Sequence, residues 1–349
     1  MVNFAIIGCG RISGKHIGAI KQTVGAKIVA VCDTIEERAK KIALELNCKY
    51  YTDYATLLKD PMIDVVNLCV PSGLHPEMTI QAAKAGKNIV CEKPIALTMK
   101  DAYNMVEECK MNKVSLFIVK QNRYNPQIVS LKKSIEEGRF GRIFLANVTV
   151  RWSRGQEYYD QDVWRGKILS DGGVLLNQTS HHIDMLRWLI GDVESVICKK
   201  ATYGHNIETE DTAIAILKFK NGAMATFEGT TCTFPRDLEG SISILGEKGS
   251  VKVGGFAMNK MDVWQFTESK EEDSSLVHSI TNPPNVYGFG HTPFMHDVVK
   301  SLQSNKSPKI DGDEGLKTLK VIIAMLKSAK FGKEIFVDEI KPDDSNYYY

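Results

Sequence analysis

The chain has 349 residues, of which 43% are hydrophobic and 25% charged; 44 basic and 42 acidic side chains leave a formal net charge of +2. These proportions are typical of a globular protein with more than one domain and argue against intrinsic disorder. So small a net charge excludes the strong positive field of a nucleic-acid-binding protein. No run approaches the roughly 18 apolar residues of a membrane-spanning helix, so we expect no membrane partner either.

The first 120 residues alternate short apolar runs with amphipathic stretches. The runs are continuous, as expected for parallel strands buried on both faces. The pattern predicts a doubly wound, Rossmann-type parallel sheet in an α/β protein. The predicted strands are 4–7, 28–31, 65–68, 88–90 and 116–119, and the predicted helices are 13–23, 34–46, 74–85 and 98–112. We expect Thr34 to cap the second of these helices and Thr98 the fourth.

After residue 120 strands follow one another with few helices between them. Asn221-Gly222 between two apolar runs predicts a β-hairpin. This second part is predicted to be an α+β domain on a mostly antiparallel sheet, so we divide the chain into 1–121 and 122–349. Its predicted strands are 142–152, 193–202, 211–219, 223–233, 239–246 and 249–254, and its predicted helices are 125–137, 176–190, 293–304 and 312–331. The eight cysteines show no paired spacing, which favours a reducing cytoplasm.

A glycine-rich segment, Gly8-Cys9-Gly10-Arg11-Ile12-Ser13, lies between the first predicted strand and helix. In that context Gly8 allows a tight turn, and Gly10 allows the backbone to approach a pyrophosphate at the helix N-terminus. Asp33 ends the next strand, where an acidic side chain binds the adenosine ribose and repels a 2′-phosphate. The segment therefore predicts NAD rather than NADP. The alternatives are an ordinary strand–turn–helix and an aspartate that only caps a helix.

Two further residues are candidates for the chemistry. Lys93, in Cys91-Glu92-Lys93-Pro94, follows a strand at the edge where open parallel sheets bind ligands. Its ammonium group could stabilise a developing alkoxide. Asn177, His181 and Asp184 have the spacing of one helical face, which they share with Trp188, and His181 could accept a hydroxyl proton. The alternatives are a solvated surface lysine and a buried structural histidine.

Taken in order, GCGRIS, Asp33, CEKP and GG-x3-Asn-x3-His-x2-Asp resemble the Gfo/Idh/MocA family of sugar and polyol dehydrogenases. The resemblance implies an NAD-binding Rossmann domain, a second domain with a large open sheet, and a homo-oligomer, a tetramer, formed through that sheet. It makes Lys93 the catalytic lysine and His181 the general base. Asn177 replaces a common aspartate, so we expect it to orient the substrate. The implied cofactor-binding residues are Gly8, Gly10, Arg11, Ile12, Asp33, Pro71, Ser72, His75, Glu92, Lys93, Gln121, Trp164 and Arg165.

A narrower resemblance rests on the segments 120–126, 151–159, 164–166 and 176–178. They resemble the UDP-N-acetylglucosaminuronate 3-dehydrogenases of lipopolysaccharide O-antigen biosynthesis, which act ahead of an aminotransferase. Arginine guanidinium groups suit the carboxylate and pyrophosphate of such a substrate. The candidate substrate residues are Ser13, Arg154, Tyr159, Asn177 and His181, and segment 287–291 resembles a loop that closes on the site. The alternatives are a dehydrogenase of a free sugar or inositol and a non-catalytic NAD or sugar sensor. No metal site is expected.

Overall fold

A computed structural model describes residues 1–277, 288–304, 306–344 and 347. The chain forms two compact units, one of Met1–Lys120 with His291–Lys317 and one of Gln121–Gly290 with Thr318–Tyr349. The predicted boundary at residue 121 places His291–Lys317 in the second domain, whereas in the structure this segment belongs to the first unit. In the part of the chain that the structure describes, no helix is long and apolar enough to cross a membrane.

The first unit contains a six-stranded parallel sheet in the order β3-β2-β1-β4-β5-β6. This order is that of the doubly wound dinucleotide-binding fold, so the predicted fold class is confirmed. The five predicted strands are present, but the short edge strand β3 was not predicted. The strands are β1 (Val2–Ile7), β2 (Ala26–Cys32), β3 (Lys49–Tyr51), β4 (Val65–Leu68), β5 (Asn88–Cys91) and β6 (Leu116–Ile118).

Five helices lie between these strands: α1 (Ser13–Lys21), α2 (Glu36–Leu46), α3 (Tyr54–Leu58), α4 (His75–Lys84) and α5 (Met99–Met111). Thr98 caps α5 as predicted, because its side chain accepts a hydrogen bond from the backbone N–H of Asp101. The prediction for Thr34 is wrong. The N-cap position of α2 is Ile35, which makes no side-chain cap hydrogen bond, and the backbone N–H of Ile35 donates to the carboxylate of Asp33. The acidic residue at the end of β2 therefore organises the turn that enters α2.

The second unit contains an eight-stranded sheet in the order β13-β12-β11-β7-β10-β9-β8-β14. Strands β7 and β10 pair in parallel and the other neighbours are antiparallel, which confirms the predicted mostly antiparallel sheet. Strands β13 and β14 were not predicted. The strands are β7 (Ile143–Arg151), β8 (Val193–Ala201), β9 (Thr212–Phe219), β10 (Met224–Thr230), β11 (Glu239–Gly246), β12 (Gly249–Gly254), β13 (Lys260–Phe266) and β14 (Ile335–Phe336).

The hairpin predicted at Asn221-Gly222 is confirmed, since β9 and β10 pair directly on either side of it. The Phe219 N–H donates to the Ala223 carbonyl, and of the two turn residues only Gly222 has a positive φ, +89°. Glycine suits that position because it carries no Cβ to clash in the left-handed region.

The remaining helices are α6 (Pro126–Glu136), α7 (Gln156–Asp160), α8 (Ser180–Ile190), α9 (Asp273–Val277), α10 (His291–Ser304) and α11 (Gly312–Phe331). The helix predicted over 176–190 is not continuous. Residues Val174–Gln178 form a single π-helical turn, and α8 begins only after Thr179. Helix α10 packs against α1, which explains why its segment belongs to the first unit.

Candidate functional site

The glycine-rich loop after β1 has the backbone geometry that a pyrophosphate site needs. Gly8 has φ +89°, and a Cβ there would lie 2.5 Å from the carbonyl oxygen of Cys69. A Cβ on Gly10 would meet nothing within 4 Å, so space remains beside the backbone at that point. Ser13 begins α1, and its hydroxyl donates to the Gly10 carbonyl at 2.7 Å. The N–H groups of Ser13 and Lys15 already donate within this turn, to the carbonyls of Gly10 and Ile12. The open space beside Gly10, at the N-terminal end of α1, is therefore the point where an anion fits the loop.

The other predicted residues of this loop differ in exposure: Arg11 is exposed, Ile12 is half-buried and Ser13 is buried. The Ser13 hydroxyl proton is used in the hydrogen bond to the Gly10 carbonyl, which stabilises the conformation of the loop.

Asp33 is a structural part of the same loop. One carboxylate oxygen accepts from the Cys9 N–H at 2.7 Å and the other from the Ile35 N–H at 2.8 Å. Each oxygen can accept a further hydrogen bond, so the carboxylate can still receive ribose hydroxyl groups. Together with the open space at Gly10, this arrangement fits an NAD molecule and disfavours a 2′-phosphate.

We expect Asp33→Ser to lower the preference for NAD over NADP by roughly 10–100-fold, since a hydrogen bond to a charged group is worth about 1.5–3 kcal/mol. The preference is measured as the ratio of kcat/KM for the two dinucleotides. Asp33→Asn is the matched variant, because it removes the charge but keeps one acceptor for the loop. An unchanged ratio in both variants would show that another residue selects the cofactor.

Lys93 lies in the loop that follows β5, and its side chain is half-buried. Glu92 is buried, and its Oε2 accepts from the backbone N–H of Lys93 at 3.1 Å. On the other side, the carbonyl of Pro94 lies 2.8 Å from Nδ1 of His75. The backbone around the lysine is therefore held by contacts from both flanking residues.

The segment predicted to lie beside the adenosine half of the cofactor follows β4. Pro71 is half-buried, and Ser72 is buried in a short 3-10 turn, Ser72–Leu74. His75 is fully buried, with Nδ1 beside the Pro94 carbonyl and Nε2 3.1 Å from the Val70 carbonyl. Burial lowers the pKa of His75, and the hydrogen bonds to the two carbonyls oppose that shift. His75 therefore links this segment to the Lys93 loop and does not lie at the surface.

In the second unit, His181 lies in the first turn of α8 and is buried. Its Nε2 is 3.2 Å from the amide nitrogen of Gln121. The family resemblance predicts Gln121 as a cofactor-binding residue, and the sequence does not predict this contact. An amide can donate to a neutral imidazole or, when turned over, accept from an imidazolium. Gln121 can therefore stabilise both protonation states that a general base must adopt.

Asp184 and Trp188 share the His181 face of α8, as predicted. Asp184 forms two hydrogen bonds with Arg123, both of 2.7 Å, and accepts a third from Thr318 at 2.6 Å. The Arg123 guanidinium also lies 5.0 Å from the Trp188 ring. This buried pair anchors α8 to the segment after Gln121, and so it fixes the position of His181.

Asn177 does not share that helical face, and the prediction of one continuous helix is wrong there. It lies in the π-helical turn, and its amide donates to Asp171. Asp171 is fully buried and also accepts from the Gly166 N–H at 2.7 Å. Gly173 has φ +77°, and a Cβ there would lie 2.5 Å from a carboxylate oxygen of Glu210. Gly172 and Gly173 therefore allow the backbone to turn into the π-helical segment while it packs closely against the buried side chain of Glu210.

The arginines of segment 151–165 each have an acidic partner. Arg151 forms a two-point pair with Glu228, Arg154 pairs with Asp237 at 2.9 Å, and Arg165 pairs with Asp162 at 2.9 Å. Arg165 also lies over the rings of Tyr158 and Trp164, with 4.3 Å and 4.6 Å to the ring centres. The predicted arginines are thus preorganised by carboxylates and aromatic rings.

Tyr159 is buried, and its hydroxyl lies 2.9 Å from that of Thr231. Its contacts are those of a packing residue. In the loop 287–291, Tyr287 lies outside the described residues, and His291 is a buried residue at the start of α10.

Comparison with known proteins agrees with this organisation. Residues 2–120 match the oxidoreductase family profile described as GFO_IDH_MocA, NAD-binding Rossmann fold. Residues 132–337 match that described as GFO_IDH_MocA_C, C-terminal alpha/beta domain. The chain is similar to a myo-inositol 2-dehydrogenase of Thermotoga maritima, with 27% identity over 97% of this chain and 99% of the relative.

Among solved structures, the chain resembles the WlbA dehydrogenase of Bordetella pertussis in complex with NADH and UDP-GlcNAcA. The identity is 42% and the TM-score 0.90, and the match covers 96% of this chain and 97% of that one. It also resembles WlbA of Chromobacterium violaceum in the same complex, with 41% identity, TM-score 0.90 and coverage of 96% and 95%. With matches to both family profiles over most of its length, the chain belongs to the Gfo/Idh/MocA oxidoreductase family and is an NAD-dependent oxidoreductase.

Proposed function

We propose that this enzyme oxidises the C3 hydroxyl of UDP-N-acetylglucosaminuronic acid to a ketone with NAD. The observation that carries the proposal is the likeness to two dehydrogenases with that nucleotide sugar bound, at 42% and 41% identity over 96% of the chain. Its likeness to the inositol dehydrogenase is lower, at 27% identity. The chemistry of the site residues supports the same reaction.

Two side chains carry the proton chemistry in this proposal. His181 accepts the proton of the substrate hydroxyl, and Gln121 stabilises the imidazolium that results. Lys93 donates a hydrogen bond to the oxygen that gains negative charge as the proton leaves. Bound NAD accepts the hydride from the same carbon. Asn177, oriented by Asp171, is assigned to positioning the sugar.

The aromatic and arginine residues of segment 151–165 support a nucleotide-linked substrate. Arg154 and Arg165 are half-buried and already oriented, so little side-chain entropy is lost when they bind an anion. Tyr158 and Trp164 lie beside these cations and offer flat apolar surfaces. A carboxylate, a pyrophosphate and a base would use such a surface, whereas a neutral free sugar would not.

The test is to incubate the purified enzyme with NAD and UDP-N-acetylglucosaminuronic acid, following NADH absorbance and product mass. We expect NADH formation and a product lighter by two hydrogens that retains the nucleotide. UDP alone should bind and compete with the substrate, because it presents the pyrophosphate and base. Turnover of myo-inositol or a free sugar with no UDP binding would instead support the second candidate.

That second candidate, a free-sugar or inositol dehydrogenase, is favoured by the curated relatives, which include inositol dehydrogenases of Thermotoga maritima and Rhizobium meliloti at 27% and 29% identity. The ion pairs of the arginines in segment 151–165 are also compatible with a free-sugar substrate, because an arginine that is paired with a carboxylate can have a purely structural role. A panel of free sugars in the same assay separates the two.

We also infer a homo-oligomer formed through the eight-stranded sheet. Side chains alternate along β9 and β10, so one face is buried and the other is exposed. The exposed face carries Ile197, Ile214, Ile216 and Met224, each about half exposed. Apolar residues grouped in this way on a sheet face support an interface with a second copy.

A further inference from the structure

His16 is a buried histidine of the first unit to which the proposed chemistry gives no role. It lies one turn into α1, the helix that begins at the glycine-rich loop, and its side chain is fully buried. Its Nε2 lies 2.6 Å from Oε1 of Glu92, which directly precedes the proposed catalytic lysine. The contact therefore joins the dinucleotide-binding helix to the loop after β5.

The Glu92 carboxylate uses its two oxygens on different partners. Oε1 contacts His16, and Oε2 accepts from the Lys93 N–H at 3.1 Å. The Glu92 N–H also donates to the Leu68 carbonyl, which continues the pairing of β5 with β4. Glu92 is only 7% exposed, so these contacts are shielded from water and hold its position firmly. A change at His16 is therefore transmitted to the backbone of Lys93 through one side chain.

The surroundings of the ring favour its charged form. Nδ1 lies 2.9 Å from the amide nitrogen of Asn67, whose Oδ1 has no hydrogen-bond partner among the described residues. Because amide oxygen and nitrogen are assigned from such contacts, turning the amide over lets Oδ1 accept from an Nδ1–H. Both ring nitrogens then donate, one to an amide oxygen and one to a carboxylate, as only an imidazolium can.

The electrostatics agree with this assignment. Burial alone disfavours the charged ring, but Cys69 and Glu92 outweigh burial and raise the pKa of His16. Burial also opposes ionisation of Glu92, yet the hydrogen bond from His16 lowers its pKa. The neighbouring His291 ring, 5.4 Å away, stays neutral because burial lowers its pKa. The charge of Lys93 also lowers the pKa of Glu92, so the same carboxylate interacts electrostatically with the imidazolium and with the lysine.

We propose that His16 is a positioning residue for Lys93, acting through its buried ion pair with Glu92 and coupling the lysine loop to the dinucleotide-binding helix. This inference rests on the proposed role of Lys93. The proposed chemistry gives His16 no part in the proton transfer, so its effect is on where the ammonium group of Lys93 lies. A displacement of about 1 Å at a reacting group can cost roughly 10²-fold in rate.

The first test is a double-mutant cycle in the full-length enzyme with His16→Gln, Glu92→Gln and both together. Each single change is expected to lower kcat by roughly 10²-fold while the Kd for NAD changes little. Because both residues act through one contact, the double variant should lose no more than either single one. The control is His296→Gln, a histidine exposed on α10, which should keep the wild-type kcat.

The second test needs no substrate and so separates this inference from the proposed function. In spectra of the full-length protein labelled with ¹⁵N-histidine, the His16 signal, assigned by its loss in His16→Gln, should remain that of an imidazolium at about pH 8, well above the usual value near 6.5. In Glu92→Gln the pKa of His16 should fall, because the hydrogen bond and the charge of Glu92 are lost. If His16→Gln does not fold, the His16 signal is assigned as the one whose titration shifts in Glu92→Gln, and the wild-type and Glu92→Gln spectra still decide the question.

Three results would overturn the inference: a wild-type kcat in folded His16→Gln, independent losses that multiply in the double variant, or a neutral His16 at pH 8. A full kcat in Lys93→Ala would instead overturn the proposed role of the lysine, whatever the state of His16.

Discussion

Replacing Lys93 by alanine is expected to lower kcat by roughly 10²–10³-fold, the size of effect seen when one preorganised donor to a developing oxyanion is removed. The lysine follows β5, at the edge of the sheet where open α/β folds bind their ligands. Its backbone is held by Glu92 on one side and by the Pro94 contact with His75 on the other. Because the backbone around Lys93 is held in place, its ammonium group can act as a preorganised charge.

The Kd for NAD should change little in Lys93→Ala, because the glycine-rich loop and Asp33 are untouched. Stopped-flow measurement of the hydride-transfer step separates chemistry from product release. The matched control is Lys100→Ala, an exposed lysine in the first turn of α5 of the same unit. An equal loss in the control would mean that the assay reports stability, and a full rate in Lys93→Ala would remove the lysine from the chemistry.

The fold of the first unit could be predicted because its signals are local. Continuous apolar strands and the glycine-rich turn each reflect the environment of a few neighbouring residues. What could not be predicted depends on partners distant in sequence. Edge strand β3 has only three residues, with exposed Lys49 and Tyr50, and so lacks an apolar run. Helix α10 joins the first unit because it packs against α1, from which it is separated by 270 residues of chain.

The same distinction applies to the site. Lys93 and the glycines follow from short motifs, and their local backbone agrees with the pattern. The face shared by His181 and Asp184 also follows from helical spacing. The contact between Gln121 and His181 spans 60 residues, and that between His16 and Glu92 spans 76. No periodicity in the chain records such pairs, so only the folded structure reveals them.

The prediction that Asn177 shares a helical face with His181 is wrong for a different reason. Helical spacing placed it on the face of His181, but the chain forms a π-helical turn that ends before α8 begins. Gly172 and Gly173, both with positive φ, were the available signal that the entry to this helix is irregular. Buried Glu210 accepts from the Leu175 N–H at 3.1 Å and so satisfies one backbone N–H group at the buried start of that turn.

Replacing His181 by alanine is expected to lower kcat by roughly 10²–10⁴-fold, because this is the usual contribution of a positioned general base. The ring is buried on α8, and Gln121 lies within hydrogen-bond reach of its Nε2. Without the imidazole, the hydroxyl proton has no acceptor of suitable basicity. The Kd for NAD should again change little, and NADH release should be unaffected.

His182, the next residue, supplies the matched control. It is fully buried and lies against Trp152 with 5.3 Å between ring centres, and burial lowers its pKa to about 3. Neither of its ring nitrogens has a hydrogen-bond partner within the described chain, so His182→Phe keeps the ring contact and removes no bond. This variant should retain most of the wild-type kcat. If it loses as much as His181→Ala, the losses arise from disturbance of α8, and the proton acceptor lies elsewhere.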